Sequence, residues 1–290
     1  MKNTIEILRK VLSPLYDAGE VKAITRLLLE EICGLTYAQI LLNEGTKKLP
    51  REQAEILEQY AQRLAKGEPV QQVMGYTWFR GRKFKVNRDV LVPRPETGEL
   101  VQKVVDNFVN KSGITLLDIG TGSGCIALSL AAEINHSFIT AIDLSTAALK
   151  TAQENAKELN ISNIEFVQAD ILKLAENADI NWFSTFDAIV SNPPYICQHE
   201  AVDMSKNVLD YEPSMALFVP DDDPLLFYRA IGQYAQQCLK NGGKLFFEIN
   251  EAYGQEVCRL LESQSYQQVQ LHQDQFGKDR FVLAEKNNSL

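Results

Sequence analysis

Beyond residue 110 the chain alternates short apolar runs with stretches of helical periodicity, and this alternation limits its fold more than any other feature. Thr115 to Ile119, Phe138 to Ile142, Ile164 to Gln168, Phe186 to Val190 and Lys244 to Ile249 read as buried strands. Between and after them lie helical patterns: one with Ile126, Leu128 and Leu130, one through Ala147, Leu149 and Ala156, a long one after Pro224, and one over 251–263. Strands alternating with helices predict a parallel, doubly wound sheet covered on both faces. The last two runs, Val269 to Gln273 and Arg280 to Glu285, are only about half a dozen residues apart, too few for a parallel crossover, so one of the pair is expected to run antiparallel. The expected fold class is α/β, with a mostly parallel sheet of seven strands.

The first third reads differently. Ile5, Leu8, Val11 and Leu12 repeat at helical spacing before Pro14, and Val21, Ile24, Leu27, Leu28 and Ile32 do so before a stop at Gly34. Thr36 suits the cap of a short helix carrying Ile40, Leu41 and Leu42. Pro50 opens another with Ile56, Leu57, Tyr60 and Leu64 on one face, ended by Gly67. The segment from Trp78 to Val86 alternates in and out around Gly81 as a hairpin does. A Pro-rich stretch from Val92 to Glu96 leads into an amphipathic helix with Leu100, Val101, Val104, Val105 and Phe108. The expected organisation is a helical domain over 1–68, a hairpin linker over 69–92 and the α/β domain over 93–290.

Composition excludes several classes. Among 290 residues, 38 are acidic and 29 basic, a net charge of −9 that disfavours a nucleic-acid backbone as the main partner. No apolar run reaches the length of a membrane span, and the N-terminus lacks the apolar core of a signal peptide. The five cysteines are scattered and form no CxxC pair or Cys/His cluster, so no metal site is expected and a reducing cytoplasm is the simplest compartment. His136, His199 and His272 are isolated, and only His199 lies near a motif that carries chemistry.

The first strand-to-helix turn reads Leu117-Asp-Ile-Gly120-Thr121-Gly122-Ser123-Gly124-Cys125. Its glycines allow a tight turn and close backbone approach, and the following helix presents free N–H groups. Asp143 ends the second strand, where a carboxylate accepts hydrogen bonds from both hydroxyls of a ribose. A dinucleotide needs G-x-G-x-x-G, and this loop is G-x-G-x-G, so an NAD-dependent enzyme fits poorly. S-adenosylmethionine, which has no phosphate, fits the loop. Asp170 and Ile171, after the third strand, stand where side chains receive the adenine amino group and pack on its ring. A helix N-cap is the competing role for Asp170.

Ser191-Asn192-Pro193-Pro194-Tyr195 follows the fourth strand. In the usual order that strand lies beside the first, so the motif borders the cofactor crevice. Two prolines stiffen the backbone and remove donors, leaving carbonyls free to accept. Asn192 adds a side-chain oxygen, and Tyr195 a flat face with a polar tip. An amide or exocyclic amine nitrogen is a poor nucleophile because its lone pair is delocalised. Asn192 Oδ1 and the Pro193 carbonyl can accept both of its N–H hydrogens, aim the lone pair and hold the plane against Tyr195. No dedicated base is evident. The motif resembles the [DNS]PP[YFW] signature of amino methyltransferases, which act on adenine in nucleic acids or on protein glutamine.

Taken together, these segments resemble the peptide-chain release factor glutamine methyltransferases, the HemK/PrmC family, over nearly the whole chain. The resemblance rests on Gly67-Glu-Pro-Val70 with Gly75, Val92-Pro-Arg-Pro-Glu-Thr97, the 117–125 loop, Asn192 to Tyr195, Tyr211-Glu-Pro213 with Ala216-Leu217, Gly242-Gly243, Phe247-Glu-Ile249 and Gly277-Lys-Asp-Arg280. It implies a Rossmann-like class I methyltransferase domain and S-adenosylmethionine as cofactor. Gly120, Thr121, Gly122, Ser123, Gly124, Asp143, Asp170, Ile171 and Asn192 would bind that cofactor, and Asn192, Pro193, Pro194 and Tyr195 would hold the substrate and act on it. The substrate implied is the glutamine of the Gly-Gly-Gln loop in class 1 release factors, converted to N(5)-methylglutamine by a monomer whose helical domain grips the partner. An adenine methyltransferase of DNA or RNA is the alternative, and a non-catalytic cofactor sensor a further one. Gly98, Asn250 and Ile171 depart from the commoner family residues at their positions. Arg94 or Thr97 could face the cofactor carboxylate or serve a rigid joint, and Tyr211-Glu-Pro213 could close a loop over the site or only cap an insertion.

The net charge is unevenly placed. Residues 1–88 carry 15 basic and 10 acidic side chains, +5, and the remainder 14 and 28, −14. Arg80, Arg82, Lys83, Lys85 and Arg88 cluster at the hairpin, either as a solvated face or as an electrostatic guide for an acidic partner surface.

Overall fold

The computed structural model describes residues 2–43, 49–176 and 186–287. Its contacts divide the chain into two compact units, Met1–Gly75 with Ser205–Tyr211, and Tyr76–Met204 with Glu212–Leu290. The first contains helices α1 (Lys2–Leu12), α2 (Ala18–Cys33), α3 (Tyr37–Asn43), α4 (Arg51–Leu64) and α5 (Val70–Met74). Local chemistry sets their ends. Asp17 and Glu20 form a reciprocal capping box at the start of α2, and Gly34 ends it with φ 61°. Thr36 Oγ1 accepts from Gln39 N while Gln39 Oε1 accepts from Thr36 N, a second box opening α3. Ile5, Leu8, Leu12, Val21, Leu28, Leu57 and Leu64 form the core of this unit. Leu42, expected on the apolar face of α3, is 82% exposed, in the last turn of a helix only seven residues long. The side chain of Leu41 falls outside the description. Arg63 binds Glu68 through two nitrogens and also donates to the Gln72 and Val73 carbonyls, tying α4 to α5. Tyr211 donates its hydroxyl to Lys66 O and accepts from Gln72 Nε2 at its carbonyl, which anchors the distant 205–211 segment in this unit.

The second unit begins with the hairpin β1 (Tyr76–Phe79) and β2 (Arg82–Lys85), followed by α6 (Pro95–Phe108). Arg80 (φ 47°) and Gly81 (φ 73°) make its two-residue turn, whose positive dihedrals match the twist of the strands. Then come β3 (Thr115–Ile119), α7 (Cys125–Glu133), β4 (Phe138–Asp143), α8 (Thr146–Glu158), β5 (Ile164–Gln168), α9 (Ile171–Glu176) and β6 (Phe186–Ser191). A long excursion carries β7 (Ile196–Cys197), α10 (Lys206–Tyr211, counted with the first unit) and β8 (Phe218–Val219). The chain returns through α11 (Leu226–Cys238), β9 (Leu239–Glu248), α12 (Gly254–Ser263), β10 (Tyr266–Gln273) and β11 (Asp279–Lys286).

Seven strands form one sheet in the order β10-β11-β9-β6-β3-β4-β5. The expected antiparallel member is β11, which opposes both β9 and β10. Period-two alternation buries both faces. Leu116, Ile139, Val190, Phe246 and Phe281 face a core shared with α6, α7 and the hairpin residues Phe79 and Phe84. Leu117, Ile142, Ile189, Phe247 and Val282 face the opposite core with α9, α11 and α12.

Two sequence-based boundaries are corrected. The strand expected from Lys244 starts at Leu239, with a register shift between Phe186 and Ala188, because Gly242 (φ 71°) lets the chain bulge before regular pairing begins at Ala188 and Lys244. The helix expected over 251–263 splits into a 3₁₀ turn, Glu251–Tyr253, and α12, because the Asn250 side chain caps the turn through Ala252 N. Four of the five hairpin cations, Arg80, Arg82, Lys83 and Lys85, are held within their own unit. Arg80 and Arg82 both bind Glu133, Lys85 binds Glu154, and Lys83 lies 3.5 Å over the Tyr76 ring. These contacts are the structural observation at the basic cluster, and they fasten the hairpin to α7 and α8.

Candidate active site

Strand order reverses between β3 and β6, and the C-terminal ends of these two strands carry the glycine loop and the Asn-Pro-Pro-Tyr motif. Such a switch point is where open α/β sheets bind ligands. Gly120 N and Thr121 N both donate to Ile142 O, which turns the loop over the end of β4. Gly120 (φ 76°) and Gly122 (φ 55°) have open space where a Cβ would stand. Gly124 is different: at φ 81° an added Cβ would sit 3.0 Å from Leu128 Cδ1 and 3.1 Å from the Ala152 Cβ. Gly124→Ala should therefore lower stability by about 2 kcal/mol through backbone strain and overpacking. A thermal melt would register this as a drop in Tm of about 4–8 °C, and an unchanged Tm would contradict the close packing.

Asp143 ends β4 and reads out the loop. Its Oδ2 accepts from Gly122 N at 2.9 Å and its Oδ1 from Ser145 N at 2.8 Å. Burial raises its pKa, against which these backbone bonds act. Beneath the loop Asp118, fully buried, accepts from Thr121 Oγ1 at 2.7 Å and from Ala127 N at 3.2 Å. Burial pushes Asp118 up to about 7, hydrogen bonds from Thr121 and Ala127 pull it back, and the Asp143 charge adds to the rise. Asn155 on α8 donates to Ser123 O and Lys85 O and accepts from Lys85 N, locking the loop to β2.

A cavity of about 310 Å³ opens beside the loop. Of the residues expected to bind cofactor, Gly120, Gly122, Asp143, Asp170, Ile171 and Asn192 line it. Thr121, Ser123 and Gly124 do not: their roles are the bond to Asp118, the carbonyl held by Asn155 and the N-cap of α7. Asp170 caps α9, its Oδ1 accepting from Leu172 N, and the residue also borders the cavity. Pro193 and Pro194 also line the cavity, and Tyr195 does not. Its ring packs against the α11 core, and its hydroxyl donates to Glu248 Oε1 at 3.2 Å.

Glu248, at the end of β9 and 1% exposed, is the site residue that composition and spacing did not single out. Its Oε2 accepts from Thr97 Oγ1 at 2.8 Å, and Thr97 Oγ1 in turn accepts from Asn192 Nδ2 at 3.2 Å. Burial pushes Glu248 up to about 7; Thr97, Tyr195 and Arg280 oppose the rise and Glu96 adds to it. The sequence signal was Phe247-Glu-Ile249, a lone acid inside an otherwise apolar strand. Neither Thr97 nor Arg94 is among the residues that line the cavity; both pair with buried acids, Thr97 with Glu248 and Arg94 with Glu212. Arg94 Nη2 donates to both oxygens of Glu212, whose side chain is 1% exposed. Burial raises Glu212, and Arg94 opposes the rise.

Comparison with known proteins matches residues 110–285 to a methyltransferase domain model and residues 6–75 to a PrmC N-terminal domain model. The release factor glutamine methyltransferase of Bacteroides thetaiotaomicron is 42% identical over 99% of this chain and 100% of its own. That of Flavobacterium psychrophilum is 41% identical over 94% of each. The chain belongs to the release factor glutamine methyltransferase family. Among solved structures, a methyltransferase from Pyrococcus furiosus matches 82% of this chain and 100% of its own with a TM-score of 0.51 at 20% identity, a likeness of fold alone.

Within this glutamine methyltransferase family the departures have local explanations. Asn250 Nδ2 donates to Tyr195 O at 3.2 Å and to the Glu200 carboxylate, whose Oε2 also accepts from Cys197 N, so it braces the chain leaving the motif. At Gly98 a Cβ would meet only ordinary contacts, the nearest 3.6 Å away on Phe79, so a larger residue is sterically allowed. The Arg94–Glu212 pair fastens a segment whose Pro213, Met215, Ala216 and Phe218 line the cavity. His199 Nδ1 lies 2.8 Å from Asp221 Oδ1, and the fold brings Cys197 near them, a Cys/His/Asp group that spacing did not reveal. Cys197 is buried, which raises its pKa, and its Sγ lies 3.5 Å from the Tyr253 hydroxyl. Among the described residues no helix is long and apolar enough to cross a membrane.

Proposed function

We propose that this protein transfers a methyl group from S-adenosylmethionine to the side-chain amide nitrogen of the Gly-Gly-Gln glutamine in class 1 release factors, giving N(5)-methylglutamine. The observation that carries this reading is the amide of Asn192, a residue that lines the cavity: its nitrogen is engaged by Thr97, and its Oδ1 has no hydrogen-bond partner among the described residues. An acceptor at that point suits a substrate that brings N–H donors, as an amide does.

The residues present fit the cofactor. Gly120 and Gly122 leave room that side chains would fill, Asp143 and Asp170 offer carboxylate oxygens to ribose hydroxyls and an adenine amino group, and Ile142 and Ile171 supply apolar walls. Bound S-adenosylmethionine supplies an electrophilic methyl on its sulfonium. Asn192 Oδ1 and the Pro193 carbonyl accept the two substrate N–H hydrogens, so the nitrogen stays planar-locked with its lone pair held toward the cofactor side. The nitrogen, cationic once methylated, then releases one of these hydrogens to solvent as a proton. The two prolines keep these acceptors from relaxing, which places the barrier reduction in positioning and fixed dipoles. Tyr195 borders the same turn and holds the plane of the motif through Glu248. The helical unit is the grip for the body of the release factor, and the catalytic chemistry needs no metal ligand among the motif residues.

The test is transfer of labelled methyl to three acceptors: a release factor, its variant with the Gly-Gly-Gln glutamine changed to alanine, and adenine-containing DNA. Label is expected in the first alone. Label in the DNA with none in the release factor overturns the reading.

A further inference from the structure

Asn192 can act only if its amide is held one way round. With Oδ1 toward the substrate it accepts an N–H; flipped by 180°, it would set Nδ2 against that N–H, donor facing donor. The two orientations have nearly the same shape, so packing alone discriminates weakly between them. Hydrogen-bond polarity discriminates strongly.

We propose that Glu248 and Thr97 are positioning residues that set the orientation of the Asn192 amide, so that Oδ1 faces the substrate nitrogen. This inference rests on the proposed glutamine methyl transfer. The chain of bonds runs from Asn192 Nδ2 to Thr97 Oγ1 at 3.2 Å, and from the Thr97 hydroxyl to Glu248 Oε2 at 2.8 Å. A carboxylate has acceptors only. Thr97 must therefore spend its single hydrogen on Glu248, and what it presents to Asn192 is a lone pair. A lone pair selects the NH2 end of the amide, which leaves the carbonyl end for the cavity. The other carboxylate oxygen, Oε1, accepts from the Tyr195 hydroxyl at 3.2 Å, so one buried acid fixes the direction of bonds reaching both ends of the motif.

The setting keeps water from breaking the chain. Thr97 is 3% exposed and Glu248 1%, so no bulk solvent competes for these donors and acceptors. Thr97 sits in the first turn of α6, Glu248 on β9 and Asn192 directly after the end of β6, so three separate parts of the same unit converge on one relay. Arg280 on β11 holds the far side, donating to the Ile249 carbonyl at 3.4 Å and to Asp274 at 3.2 Å. The segment from Pro93 to Thr97 and the segment from Phe247 to Ile249 are thus parts of one device for aiming Asn192.

Three variants separate this relay from a packing role. Thr97→Ser keeps the hydroxyl and loses a methyl. Thr97→Val keeps the shape and loses the hydroxyl. Glu248→Gln keeps the shape of the acid but adds a donor: with its oxygen taken by Tyr195, its NH2 faces Thr97, whose hydrogen is then free to bond Asn192 Oδ1 and stabilise the flipped amide. Assays are run above pH 8, where Glu248 is ionised, with a release factor as acceptor, and S-adenosylhomocysteine binding is measured by calorimetry on the same preparations. Thr97→Ser should retain kcat within about threefold, whereas Thr97→Val and Glu248→Gln should lose about 10- to 100-fold in kcat. S-adenosylhomocysteine affinity should stay within about threefold in all three. The side-chain amide resonances of Asn192, assigned by their absence in Asn192→Ala, should shift in Thr97→Val and Glu248→Gln and stay in place in Thr97→Ser. A packing role predicts the opposite order, with Thr97→Val tolerated and Thr97→Ser impaired, and that order overturns the relay. Full kcat in Glu248→Gln overturns it by itself, whatever the folding of the Thr97 variants. Absence of methyl transfer by the unaltered protein would instead count against the glutamine reading, while the amide resonances still report on the relay.

Discussion

Asn192→Ala is expected to lower kcat by about 10²–10³-fold, the loss typical when one fixed dipole aimed at the reacting group is removed. The substitution deletes the only side-chain acceptor that the Asn-Pro-Pro-Tyr turn presents to the cavity, leaving backbone carbonyls alone to orient the substrate nitrogen. Cofactor binding should survive, because the loop contacts of Asp143 with Gly122 and Ser145 do not involve Asn192. The expected pattern is therefore a fall in kcat with S-adenosylhomocysteine affinity changed by no more than about threefold. Steady-state kinetics on a release factor, together with calorimetry, measures both. Turnover near that of the unaltered protein would mean that the amide nitrogen is oriented by something else.

Asp143→Ala should show the opposite pattern, an affinity loss. Each carboxylate oxygen of Asp143 already accepts one backbone N–H and keeps a second lone pair for a ribose hydroxyl. Hydrogen bonds to a charged group contribute about 1.5–3 kcal/mol each, and two of them correspond to at least about a 100-fold loss in affinity. Removing the carboxylate also leaves Gly122 N unpaired at the tip of the loop. Asp143→Asn, which keeps one acceptor oxygen, should fall between the two. Calorimetric titration with S-adenosylhomocysteine gives the values, and an alanine variant that binds within about threefold of normal would remove Asp143 from the site.

Much of this architecture was legible because its signals are local and periodic. Strands β3, β4, β5 and β6 each begin at the predicted residue and end within one of it; two-sided burial makes β3, β4 and β6 near-continuous apolar runs, while the edge strand β5 keeps apolar residues at Ile164, Phe166 and Val167. The antiparallel β11 followed from the length of a single turn. The glycine loop and the Asn-Pro-Pro-Tyr turn were legible as backbone features because glycine and proline restrict the chain in ways that leave few other uses. What stayed hidden is long-range pairing. The bond from Thr97 to Glu248 spans 151 positions, and that from Arg94 to Glu212 spans 118, and nothing near either residue encodes its partner. The bulge ahead of Lys244 was hidden for a related reason, because Gly242-Gly243 fits a turn as well as it fits a kinked strand.

The residue after Asn192 also bears on how long the amide lasts. Asparagine side chains age when the next backbone nitrogen, having given up its hydrogen, attacks the side-chain carbonyl and expels ammonia through a cyclic imide. Pro193 has no such hydrogen to give, so that route is closed at this position. Conversion to aspartate would replace the Nδ2 that meets Thr97 with a second acceptor and set a negative charge beside Glu248. The first proline of the motif therefore acts as a preservative for a side chain whose hydrolysis would be irreversible.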